Sequence, residues 1–218
     1  LRDDPTPEKV KDAVQSGEAP GAFIEVPLPA PLRHLSEAAR HALHALRARQ
    51  QGLGVALPHT MPLALIGPRE ASDSHRAHAT LLGAACGFAG LPVLCGGKSG
   101  VMEAGAAGVR SADGIVVGLL PEDTADAANP YLSVALPTGL GITRNALIAR
   151  AALCLVAVGG GLGTLSEMAL GLQWGKRVCT LDGAPQIEGV ERFDKADALI
   201  ARLMMDLANA PRNVAVLD

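Results

Sequence analysis

The chain has 218 residues, of which 49% are hydrophobic and 19% charged, and its formal net charge at pH 7 is −3. Such a composition suits one α/β domain with a large buried core and argues against disorder. The near-neutral charge offers no electrostatic basis for a nucleic-acid or anionic-membrane partner, and no apolar run reaches the ~18 residues a bilayer crossing requires.

In chain order, residues 1–20 are polar, carry Pro5, Pro7 and Pro20, and read as a loose leader without a signal-peptide pattern. The sequence starts at Leu1 rather than methionine, which leaves a missing natural start open. "AFIEVPL" (22–28) reads as a short strand stopped by Pro27, Pro29 and Pro31, and "SEAARHALHALRARQQG" (36–52) has helical spacing and ends at Gly52. Residues 1–60 therefore read as an N-terminal extension packed on a main domain of residues 61–218.

From residue 62 the pattern is apolar strand, glycine or proline break, helix, repeated. Strands are predicted at 63–66, 92–95, 115–120, 152–158 and 177–181, with a shorter one near 132–136. Helices are predicted over 74–89, 100–110, 142–151, 164–175 and 193–208. Wholly apolar strands separated by helices imply a Rossmann-like, doubly wound parallel sheet in a three-layer αβα arrangement.

Cys86, Cys95, Cys154 and Cys179 each lie in an apolar segment without C-x-x-C spacing, so buried free thiols in a reducing, cytoplasmic setting are expected. His41 and His44, like His75 and His78, are spaced i,i+3 on predicted helices without a completing ligand set. They read as solvated helix faces, and no metal site is expected.

In a doubly wound sheet, every loop leaving a strand's carboxyl end meets the next helix's amino end on one edge. Four stretches fall there: "GPREAS" (67–72), "CGGKSG" (95–100), "PTGLGITRN" (137–145) and "GGGLGTLSE" (159–167). Glycines allow close approach to the main chain, and unpaired N–H groups at a helix start favour an anion such as phosphate. The candidate phosphate-binding residues are Gly67, Gly96, Gly97, Lys98, Ser99, Gly100, Thr138, Gly160, Gly161, Gly163 and Thr164. Pro92 stands where a P-loop requires its first glycine, and neither glycine loop fits G-x-G-x-x-G. A P-loop NTPase or ordinary NAD dehydrogenase is disfavoured.

Two readings of Glu167 stay open. Thr164 to Glu167 spells T-x-x-E, a capping box, and the same carboxylate suits a substrate-facing role. Arg144 reads either as a ligand-binding cation or as a surface or dimer contact. Lys98 also fits a solvated loop lysine, Glu103 a carboxylate placed for the helix dipole, and Trp174 a core or interface residue.

"LCGGKSGVMEAGAAG" (94–108), "TGLGITRN" (138–145) and "GGGLGTLSE" (159–167) together resemble the LOG ("lonely guy") family, over about residues 62–182. The family signature is P-G-G-x-G-T-x-x-E, with an upstream arginine in an R-K pair. The resemblance implies cleavage of the N-glycosidic bond of nucleoside 5′-monophosphates, releasing base and ribose 5-phosphate. Glu167 and Arg144 would be catalytic, and no cofactor or metal would be required. It also implies a homodimer or higher homo-oligomer, with helix 164–175 as the candidate contact.

Three positions depart from the hydrolase pattern: Gly159 replaces proline, Asn145 replaces lysine, and Glu103 stands where glycine is usual. "TGLGITRN" (138–145) with "GGGLGTLSEMAL" (159–170) resembles more closely a LOG-like branch that includes proteins similar to molybdenum-cofactor carriers. That likeness implies the alternative: a phosphorylated pterin, the molybdenum cofactor, bound without catalysis. A DNA-processing role is weaker, because five aromatics with no basic-aromatic stripe make no obvious strand-binding surface.

Overall fold

The computed structural model describes residues 26–52 and 61–210. The elements run α1 (Glu37–Gly52), β1 (Leu63–Ile66), α2 (Asp73–Ala89), β2 (Val93–Cys95), α3 (Val101–Ser111), β3 (Val116–Leu120), β4 (Val134–Pro137), α4 (Arg144–Ala151), β5 (Cys154–Val158), α5 (Leu162–Gln173), β6 (Arg177–Leu181), β7 (Glu191–Phe193) and α6 (Ala196–Asn209). The seven strands form one parallel sheet in the order β4-β3-β2-β1-β5-β6-β7.

Because successive strand residues face opposite sides, β1 feeds two cores. Leu63 and Leu65 join a cluster with Leu43, Leu82, Val109 and Leu199 from α1, α2, α3 and α6. Ala64 and Ile66 join the other, with Ile148 of α4 and Met168 of α5. All four β1 residues are buried, which explains the unbroken apolar run in the sequence. A fully buried leucine contributes about 1.5–3 kcal/mol, so these two layers dominate the stabilisation.

β1 pairs with β2 on one side and with β5 on the other. The chain winds outward from β1 to β4 and then returns to start the second half at β5. The loops after β1 and β5 thus flank the crevice where such sheets bind ligands.

Several expectations need correction. Residues 26–28 are not in a strand, and residues 22–25 of that expected strand lie outside the described residues. Strand β7 was not anticipated, because Glu191-Arg192-Phe193 lacks an apolar run; its pairing with β6 places it. The expected helix 142–151 opens as a 3-10 turn at Gly141–Thr143 before α4 begins at Arg144. Helix α5 starts two residues before the expected 164, which decides how Glu167 is used.

Part of the N-terminal extension contributes directly to the core. Leu32, Leu35, Ala39, Leu43 and Leu46 are buried in the same cluster as the α2, α3 and α6 side chains. The Ser36 N–H donates to Asp197 Oδ1 at 2.7 Å, and Arg49 Nη1 donates to the carbonyls of Ala208 and Ala210 at 2.7 and 2.6 Å. Among the described residues, no helix is long and apolar enough to cross a membrane.

Candidate functional site

Three helices on the flat of the sheet edge begin with different degrees of closure. At α2, Ser72 Oγ accepts from the His75 N–H at 3.1 Å, and the His75 side chain takes the Ser72 N–H. At α3, the Val101 N–H donates to Pro68 O at 3.1 Å, and Gly100 lies so close to the Pro68 and Arg69 carbonyls that a Cβ there would overlap them. Both starts are occupied by the protein's own acceptors.

The start of α5 is open. Its N-cap is Gly161, with no side-chain cap, and the first bond of the helix runs from Leu165 N–H to Gly161 O at 2.9 Å. The N–H groups of Leu162, Gly163 and Thr164 precede any intrahelical partner. Gly161, Leu162 and Gly163 are exposed. Gly159 and Gly160, at φ +58° and +139°, turn the chain from β5 into this helix through conformations that side chains disfavour. The capping-box reading of Thr164 and Glu167 is therefore overturned: Thr164 lies at the third helical position, and Glu167 sits in the second turn.

Glu167 faces inward and is paired with Arg144, whose Nη1 lies 3.5 Å from Glu167 Oε1. Both are buried, each 6% exposed. Burial pushes the Glu167 carboxyl up to about 7, with Arg144 pulling only partly in the other direction. Burial also lowers the Arg144 guanidinium, Arg69 adds to that, and Glu167 opposes it. Arg144 Nη2 donates to Gly96 O at 3.4 Å, and a side chain at Gly96 would run into the guanidinium. The structure thus brings Gly96 of the second glycine loop together with Arg144 and Glu167, and it excludes the surface reading of Arg144.

The remaining predicted residues fall into two groups. Gly160, Gly161, Gly163 and Thr164 form the turn at the open helix start, with Thr164 buried beneath it. Gly67, Gly97, Lys98, Ser99, Gly100 and Thr138 line the neighbouring loops and make internal contacts. Gly67 packs against Val158 O and Val101. The Gly97 N–H reaches Cys95 Sγ at 3.4 Å, and Ser99 Oγ reaches Arg69 O at 3.4 Å. Thr138 Oγ donates to Leu120 O at 2.7 Å. Lys98 is buried, not solvated: its Nζ pairs with Glu122 Oε1 at 2.8 Å, and its carbonyl accepts from Asn129 Nδ2. That ion pair holds the Glu122 carboxyl below its usual range.

Two features escaped the sequence reading. His75 and His78 are not merely a solvated face, since both reach Asp182 at the end of β6. His78 Nδ1 lies 2.9 Å from Asp182 Oδ2, Ser74 Oγ donates to the same oxygen at 2.7 Å, and His75 Nε2 lies 3.0 Å from Asp182 O. Burial raises the Asp182 carboxyl, but the Ser74 and His78 hydrogen bonds outweigh it and the net shift is downward. More than 100 residues separate these partners, so no local signal links them. The second feature is Asn145, whose side chain joins Arg144 to the first turns of α5.

The four cysteines are buried free thiols, as expected. Burial pushes Cys86 up to about 12, Cys95 and Cys179 up to about 11, and Cys154 upward as well, which makes them poor nucleophiles. Among the described residues, no group of three or more His, Cys, Asp and Glu side chains is placed to hold a metal ion. The chemistry the edge offers is an open helix start for an anion, a buried cation beside it, and a carboxyl that titrates near neutrality.

Comparison with known proteins places the chain among relatives. The SLOG cluster4 family matches residues 60–209. An uncharacterised protein of Archaeoglobus fulgidus is 35% identical over 140 residues, which is 64% of this chain and 92% of that protein. The molybdenum cofactor carrier protein of Chlamydomonas reinhardtii superposes with a TM-score of 0.63 at 28% identity, over 69% of this chain and all (100%) of that one. The molybdenum cofactor binding protein of the phototrophic bacterium Rippkaea orientalis gives a TM-score of 0.56 at 30% identity, over 70% of this chain and 86% of that one.

Proposed function

This chain belongs to the SLOG cluster4 family, and from that premise we propose that it binds a small phosphorylated ligand and carries it without chemical change. The ligand class is a phosphorylated pterin, the molybdenum cofactor among them. The observation that carries this reading is the uncapped start of α5, exposed at Gly161–Gly163 beside the buried Arg144 guanidinium. A phosphate seated there would meet free N–H groups, the positive end of the helix dipole and a fixed cation. The molybdenum cofactor's phosphate end fits that donor set, and its metal would be cargo rather than a group this chain ligates. The likeness to two proteins that bind or carry this cofactor supports the same reading.

Glu167 favours a second reading, hydrolysis of a nucleoside 5′-monophosphate. A carboxyl held near 7 is poised to exchange a proton at neutral pH. As the carboxylate it would also stabilise the positive charge that grows at the anomeric carbon as an N-glycosidic bond breaks. In the carrier reading the same group, protonated, donates a hydrogen bond to the ligand. A homo-oligomer belongs to either reading. Trp174 is largely packed against the second core, while Ile142 and Leu162 are each 85% exposed and better placed as contacts.

The test is to incubate purified protein with AMP, GMP, CMP, UMP, a cytokinin monophosphate and a phosphorylated pterin, and to follow both binding and free base. Stoichiometric pterin binding without base release supports the carrier. Base release that Glu167→Gln abolishes supports the hydrolase. The absence of both binding and base release overturns the phospho-ligand reading.

A further inference from the structure

Asn145 stands where the resembled hydrolases carry lysine, and its side chain bonds in two directions. Its Oδ1 accepts a hydrogen bond from Arg144 Nη1. Its Nδ2 donates to Gly163 O at 3.3 Å and to Ser166 Oγ at 3.0 Å, and Ser166 Oγ closes the loop onto Gly163 O at 2.7 Å. Gly163 and Ser166 belong to the first turns of α5, the helix whose start is open.

The other anchors of Arg144 are weak. Its contacts to Gly96 O and Glu167 Oε1, at 3.4 and 3.5 Å, lie at the outer limit of hydrogen bonding, and its buried Nε has no partner among the described residues. A guanidinium is donor-only, so the group that fixes it must accept. Asn145 accepts from the arginine and donates to the helix. Lysine, with three donors and no acceptor, cannot do both.

We infer that Asn145 is a positioning residue that locks the Arg144 guanidinium to the first turns of α5, so that an anion on that helix start and the Arg144–Glu167 pair respond to one another. The anion in this statement rests on the phospho-ligand reading; the lock itself does not. The charged and titratable groups acting on the pair are few. Arg69, Cys95 and Glu122 act on Arg144 along with Glu167, and Glu167 also acts on Cys95.

The experiment follows the Glu167 carboxyl by carbon-13 NMR titration of the full chain. In the wild type the midpoint is expected at about 7. In Asn145→Ala the guanidinium is released from its tether, and the midpoint should rise by about half a pH unit or more. In an Arg144→Ala background the same substitution should move nothing further, because its effect runs through the arginine. An unchanged midpoint in Asn145→Ala, or an equal shift without Arg144, overturns the lock. Asn145→Ser serves if the alanine variant does not fold.

Calorimetry with inorganic phosphate and GMP then reads the coupling. About a tenfold loss of affinity in Asn145→Ala, absent in the Arg144→Ala background, is expected. Unaltered affinity in a variant whose carboxyl titration has shifted overturns the coupling. A wild type that binds neither probe overturns the link to an anion, while the titration still decides the lock.

Discussion

The His75 imidazole fills the space that a side chain at Gly159 would need: a Cβ on Gly159 would lie 2.6 Å from both Cε1 and Nε2 of the ring. The same ring closes the start of α2 and reaches Asp182 O at 3.0 Å, so it is held in place from two sides. This accounts for glycine where the resembled family carries proline. At φ +58°, Gly159 has a backbone that proline cannot adopt, and its N–H donates to Leu181 O at 3.0 Å.

Gly159→Pro should therefore lower stability by about 3 kcal/mol or more, through the lost N–H, the forbidden φ and the clash with His75. Gly159→Ala should cost about 1–2 kcal/mol, and His75→Ala in the same chain should recover part of that loss. Urea denaturation of the single and double variants measures both. Strict additivity would show that the ring and the glycine act independently.

Glu167 predicts a pH dependence of definite sign. Its carboxyl rises from 4.5 to about 7 on folding, so the folded state holds the proton more tightly than the unfolded chain. The stabilisation is complete below about 4.5 and is lost as pH rises through about 7. Comparison of wild type with Glu167→Gln cancels the other titrating groups. The stability difference between the two should change by about 3 kcal/mol between about pH 4 and pH 8. Parallel profiles would show that Glu167 is not titrating in this range.

Gly163→Asp tests the open helix start without disturbing packing. A Cβ at Gly163 finds only Asn145 Nδ2, at 3.9 Å. A carboxylate in the first turn of a helix is favourable by about 0.3–1 kcal/mol, so the melting temperature should hold or rise. Affinity for inorganic phosphate should fall about tenfold or more, because the new charge occupies the anion's place. Unaltered affinity would remove this turn from the site.

Leu43→Ala addresses the N-terminal segment. Leu43 is fully buried (0% exposed) among α2, α3 and α6 side chains. The substitution should cost about 2–5 kcal/mol in a single cooperative transition. A separate early transition would instead mark the segment as a dispensable cover.

Much of the fold was legible because the signals were local. An all-apolar run such as Leu63–Ile66 identifies a strand buried on both faces, and its alternation with helices identifies a parallel sheet. β7 carried no such signal, since Glu191 and Arg192 look like loop residues until β6 pairs with them. T-x-x-E was a true motif in a false position: the helix started three residues earlier at its cap, because Gly159 and Gly160 complete the turn before Thr164 is reached.

The sequence by itself determined a doubly wound parallel sheet, in all its strands but β7, and the edge on which the glycine loops gather, since these follow from periodicity and from the alternation of apolar strands with helices. Only the tertiary structure decided which helix start is open, that Lys98 is paired with Glu122, and that Asn145 tethers Arg144. It also decided that His75 and His78 serve Asp182 rather than solvent. Apart from the neighbours Arg144 and Asn145, those outcomes depend on partners 18 to 107 residues apart, or on which carbonyl reaches a helix end first. Short-range pattern carries no information about such contacts, because side-chain hydrogen bonds are chosen by the packed neighbours and not by the residues on either side.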